Sequence, residues 1–157
     1  MKQTLTVAVL SVLAALAAGC GTRLPPDDEL IEHFNTHRDD LNQLVRLLEA
    51  DSQLEHLSGD SILPEKSISS ERTGEYLALM RKAGIQTVGR NKDDRLTFTV
   101  FEESPKFSPV VDHSFKGYTF TTNSLPTVEN TEIHKAREGR WYRRIERHWY
   151  LYYLHIT

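Results

Sequence analysis

Ile85-Gln86-Thr87-Val88-Gly89-Arg90-Asn91-Lys92-Asp93-Asp94-Arg95-Leu96-Thr97-Phe98-Thr99-Val100 is the stretch on which the fold turns. Upstream of it, apolar residues recur every three or four positions; inside it they recur at every second one. An extended chain puts Leu96, Phe98 and Val100 on one side and Thr97 and Thr99 on the other. The polar run Asn91-Lys92-Asp93-Asp94 between the two alternating segments predicts a hairpin. A helical half therefore gives way to a sheet at Ile85.

Downstream, the same alternation sets Tyr118 and Phe120 against Thr119 and Thr121. Strands are expected near 85–90, 95–102, 115–122 and 147–156, with 104–114 (Pro105, Pro109) as a loop. One face of this antiparallel sheet is expected to meet the helices, and the threonine-lined face to meet water. The last strand departs from the pattern. Tyr150, Tyr152, Leu154 and Ile156 lie on one side and Trp149, Leu151 and Tyr153 on the other, so both sides are apolar. Either the long connection 125–141 covers it, or it presents an exposed aromatic stripe.

Upstream, Asp27 reads as an N-cap with Asp28 and Glu29 in the first turn, where the helix dipole favours acids. Leu30, Phe34, Leu41, Leu44 and Leu48, flanked by Ile31, Val45 and Leu47, predict one helix to about residue 50. The segment 51–70 is broken by Gly59 and Pro64, with Leu54, Leu57, Ile62 and Leu63 packing as a short turn or strand. Ser69 or Ser70 caps a second helix that turns Tyr76, Leu77, Leu79, Met80 and Ala83 inward, and Gly84 stops it. The expected fold class is α+β: two N-terminal helices packed on one face of an antiparallel sheet of about four strands, one domain over 27–157.

The first twenty residues are of another kind. Lys2 precedes an apolar run, 5–18, of about fourteen residues, too short for a spanning helix of roughly twenty. It ends in Leu16-Ala17-Ala18-Gly19-Cys20, and Cys20 is the single cysteine of the chain. This resembles the lipobox of bacterial lipoproteins, with Ala17 where the family usually has leucine. The resemblance implies a signal peptide 1–19, cleavage between Gly19 and Cys20, and diacylglyceryl and acyl chains (palmitate among them) on Cys20. Gly21, rather than aspartate, follows the cysteine, which in that family implies an outer-membrane address facing the periplasm. Residues 20–26 then form the lipidated cysteine and a short tether reaching at most about 25 Å. Lys116-Gly117-Tyr118 and Trp149-Tyr150 further resemble small proteobacterial lipoproteins to which no activity is assigned.

Losing the leader from a chain of 157 residues removes Lys2 and takes the formal charge from −3 to −4. The charge is uneven: residues 21–60 are acid-rich, whereas 134–157 carry Lys135, Arg137, Arg140, Arg143, Arg144 and Arg147 against Glu138 and Glu146. Either the two regions lie together within the fold, or the second forms a basic patch for an anionic partner. Arg140, Trp141, Arg143, Arg144, Arg147 and Trp149 are the candidate binding surface, for an envelope protein or an anionic glycan or lipid. Nucleic acid is set aside because the leader sends the chain to the envelope.

Catalytic patterns are absent from the sequence. There is no Gly-x-Ser-x-Gly elbow and no glycine-rich phosphate loop, and no cofactor is implied. His33 and His37 stand one helical turn apart, the spacing at which two imidazoles share a zinc ion, and they are the metal candidates. The expected role is a non-catalytic, membrane-anchored periplasmic lipoprotein. The alternatives are an inhibitor or immunity lipoprotein, or a small hydrolase acting on cell wall or lipid.

Overall fold

The computed structural model describes residues 24–103, 113–135 and 137–157. The leader, Cys20 and most of the expected 104–114 loop lie outside them, although His113 and Ser114 already belong to a strand. Two helices, α1 (Asp27–Ala50) and α2 (Ser70–Lys82), accompany seven strands. These are β1 (His56–Ser58), β2 (Ile62–Leu63), β3 (Thr87–Arg90), β4 (Leu96–Glu103), β5 (His113–Phe120), β6 (Gly139–Arg144) and β7 (Trp149–Ile156). They form one antiparallel sheet in the order β2-β1-β3-β4-β5-β7-β6. The class is α+β. The sheet has seven strands where about four were expected.

The three unexpected strands have physical reasons. The first two are too short to show a period, and pairing alone defines them: Leu57 opposes Ile62 on one side and Val88 on the other. The third, β6, reads as a basic–aromatic run because Arg140 and Arg144 share its outer side with Tyr142.

The helical periods hold where burial enforces them. Leu30, Phe34, Leu41, Leu44, Val45, Leu47 and Leu48 of α1 join Tyr76 and Met80 of α2, and Leu57, Val88, Leu96, Phe98, Tyr118, Trp149 and Leu151 of the sheet, in one core. Backbone dihedrals leave helical values at His37 (φ −108°, ψ 16°), so α1 is kinked there. Ser69 caps α2 by accepting from the Arg72 amide at 3.1 Å. At its end Gly84 takes φ +62°, a conformation costly for residues with a Cβ, and the Ile85 amide returns to the Met80 carbonyl at 2.8 Å.

The threonine face is a correction. Thr99, Thr119 and Thr121 are buried rather than turned to water. Tyr142, Tyr150 and Tyr152 form a second small core on that face, with Phe115, Leu125 and Leu154 packed around it. The Tyr152 hydroxyl lies 2.7 Å from Thr99 Oγ1. Leu125 and the Val128 amide, which donates to the Tyr142 carbonyl at 2.8 Å, come from the long connection before β6. Both faces of β7 are therefore covered, and the exposed aromatic stripe is not found.

Candidate functional site at the start of the first helix

Asp27 does not cap α1. Pro26 holds the N-cap position in extended backbone, and Asp27 is the first helical residue. Its carboxylate turns inward, with Oδ1 2.6 Å from Lys116 Nζ. It also accepts from Thr131 Oγ1 at 2.5 Å and from the Thr131 amide at 2.9 Å. Arg143 Nη1 stands 3.5 Å from Oδ2 and bonds Asp28 at 3.1 Å. The Asp27 amide, one of the orphan donors of a helix start, is met by Glu132 Oε1 at 2.8 Å. Two carboxylates thus offset both the positive end of the helix dipole and the lysine beneath it.

Asp27 and Lys116 are each 1% exposed. Burial drives the Asp27 carboxyl up, but Lys116 and the two Thr131 donors outweigh it and hold its pKa below the usual value. Burial dominates at Lys116, whose pKa falls below the ordinary lysine value despite Asp27. The ammonium also donates to the Pro25 carbonyl at 2.7 Å, and Leu24 is buried. Leu24 to Pro26 therefore belong to the packed domain. Residues 24–26 of the expected 20–26 tether are thus packed chain, and residues 20–23 lie outside the described residues.

The two histidines meet, with ring centroids 4.7 Å apart, but each is engaged elsewhere. Tyr118 spends its hydroxyl proton on the Leu30 carbonyl at 2.8 Å. His33 Nδ1, 2.7 Å from that hydroxyl oxygen, must then be the donor between them. His33 Nε2 faces the end of α2, where a Cβ on Gly84 would approach it to 3.1 Å. Partial burial, then the charge of His37, lower the His33 pKa. His37 Nδ1 lies 3.6 Å from Asp40, whose carboxylate also takes Lys82 at 2.6 Å. Among the described residues no group of three or more His, Cys, Asp or Glu side chains is arranged to hold a metal ion.

The candidate basic surface is divided by the pleat. Arg140 and Arg144 are exposed on the side of β6 that carries Tyr142, and Arg147 is exposed in the turn to β7. Arg144 lies over the Tyr150 ring, 6.0 Å from its centroid. Arg143 faces the other way, toward Asp27 and Asp28, and Trp141 stacks on His134 at 4.9 Å. Trp149 is a correction. It sits 2% exposed among Phe34, Phe98 and Phe120, with its indole N–H donating to Asn42 at 3.2 Å, and has no place on a surface. The acid-rich and basic regions do meet: Arg143 reaches Asp28, and Arg38 reaches Glu146 at 3.2 Å.

Sequence reasoning passed over Lys116 and Thr131. A signal for Lys116 was present, because it shares parity with Tyr118 and Phe120 and so faces the helices. Thr131 lies more than a hundred residues from Asp27, and no local pattern announces it. No protein-family model, curated protein or solved structure matches the chain.

Proposed function

We propose that this chain is a membrane-anchored envelope lipoprotein, acylated on Cys20, whose folded domain is non-catalytic and binds an envelope protein or an anionic glycan or lipid. One observation carries the reading: Leu24 is already buried and Pro25 already bonded four and five residues after Cys20. Such a span reaches about 14 Å at most, so an acylated Cys20 would hold the domain directly at the membrane surface. Two or three acyl chains, at about 0.8 kcal/mol per buried methylene, make that attachment nearly permanent.

From there α1 works as a strut. Its first segment, from the Asp27 knot to the kink at His37, spans about 15 Å and brings Arg38 to Glu146 in the β6–β7 turn. Arg144 and Arg147 lie at that turn, beside the middle of α1, and Arg140 lies on the same side of β6 toward its start. These three exposed guanidiniums are the partner-binding surface, and their bidentate donors suit carboxylate or phosphate. Arg143 serves the fold instead, through Asp27 and Asp28.

The test is photocrosslinking of the acylated protein in its own envelope, read by mass spectrometry, for wild type and an R140S/R144S/R147S variant. Loss of the main crosslinked species at unchanged melting temperature supports the surface. An identical crosslink profile in the triple variant overturns it.

A further inference from the structure

The sheet has two ends, and the anchor leaves from one of them. That end holds the last residues of β4 and β7 and the first of β5 and β6, as the pairings Glu103 with Ser114, His113 with Ile156, and Gly139 with His155 require. Lys116, three residues in from that end of β5, bonds the Pro25 carbonyl, and the chain before Pro25 runs opposite to the course of α1 toward the β6–β7 turn. The turn 132–134 is fixed beside the Asp27 carboxylate, because Thr131 and Glu132 both bond that residue.

Three large apolar residues among those described are exposed: Leu63, Ile133 and Ile156. Two of the three lie on this side of the molecule: Ile156, 40% exposed, closes β7 opposite His113, and Ile133, 73% exposed, lies in the turn held by Asp27. The adjacent His134 stacks on Trp141 and the Thr131 hydroxyl holds Asp27, so the turn is pinned on both sides of Ile133. Leu24, Pro25, Pro26 and Leu30, with Val100 and Phe101 of β4 and the polar Glu29 and His33, line an open groove beside the start of the described chain.

We propose that this end of the sheet is a bilayer-contact face, with Ile133 and Ile156 entering the headgroup region of the membrane that holds Cys20. The inference rests on the lipoprotein reading above and adds an orientation to it. The occupant follows from the chain itself, since only three residues separate the described chain from Cys20 and limit its reach to about 14 Å. Charge there is of both signs: Lys135 and Arg137 follow the turn, and Glu138, which accepts from the Thr157 hydroxyl at 3.4 Å, stands next to them in the chain. Apolar insertion of an isolated isoleucine is the same physics that seats interfacial anchors, and it is insensitive to salt.

Acylation consumes the single native thiol, so a cysteine introduced elsewhere is uniquely labelled. Full-length acylated protein carrying Ile133→Cys, Ile156→Cys or, on the loop after β2, Glu65→Cys would be tagged with an environment-sensitive fluorophore. Each is reconstituted in phosphatidylethanolamine–phosphatidylglycerol vesicles, with or without brominated acyl chains, and intact mass reports the lipid on Cys20. The expected result is blue-shifted, bromine-quenched emission at 133 and 156, unchanged by salt, and aqueous emission at 65. Acylated protein with 133 and 156 as aqueous as 65, or with all three equally quenched, overturns the orientation and leaves the anchor standing. Protein whose mass shows no lipid overturns both.

Discussion

Lys116 and Asp27 form a buried ion pair, and such pairs are costly to break rather than rich sources of stability. Replacing Lys116 by Met strands the Asp27 carboxylate, and the expected loss is about 3–5 kcal/mol in a urea unfolding titration. Changing Asp27 to Asn in the same chain should recover much of that loss, because the unpaired charge is gone while the Thr131 bonds survive in part. At His33 the consequence is a pH dependence. Its folded pKa lies below the ordinary 6.5, so below pH 6.5 the unfolded chain binds more protons and stability falls as pH falls. Asp27, held below 3.8, adds a second loss only in stronger acid. Thermal melts of wild type and His33→Asn between pH 8 and pH 5 check the first step, and the variant's profile should be flatter. Parity was enough to turn Lys116 inward from the sequence, but its partners at Pro25, Asp27 and Thr131 depend on chain crossings that no local pattern encodes.

Among the elements, β4 and β5 approach closely at Gly117. A Cβ on Gly117 would lie 2.1 Å from the Phe98 carbonyl oxygen, which is backbone and cannot swing aside. Gly117→Ala is therefore expected to shift the pairing or cost several kcal/mol (of order 3), read as a lower urea midpoint with loss of native tyrosine fluorescence. Strands β4, β5 and β7 were legible because each is long and carries an apolar alternation that burial requires. The pair β1–β2 was legible only as a short turn or strand, since five residues in two strands are below any period. The threonine face was misread for a related reason. Alternation says which residues share a side, not whether that side is wet, and here Tyr142, Tyr150 and Tyr152 close over it. In β6 the same ambiguity made Trp141 and Arg143 look like partners of Arg140 and Arg144, from which the pleat separates them.

At the scale of the whole molecule, a packed domain begins within a few residues of the proposed anchor, and a charged knot fixes the first helix where the chain would leave the membrane. The sequence motif proposes the address, and the packing of Leu24 and Pro25 gives that proposal its short reach. The account stands or falls on the thiol at position 20. Metabolic fatty-acid labelling with membrane fractionation, on wild type and Cys20→Ala, is the most direct measurement. The account predicts label and membrane residence in wild type and neither in the variant. A wild-type protein without label, or a variant that stays with the membrane, contradicts it.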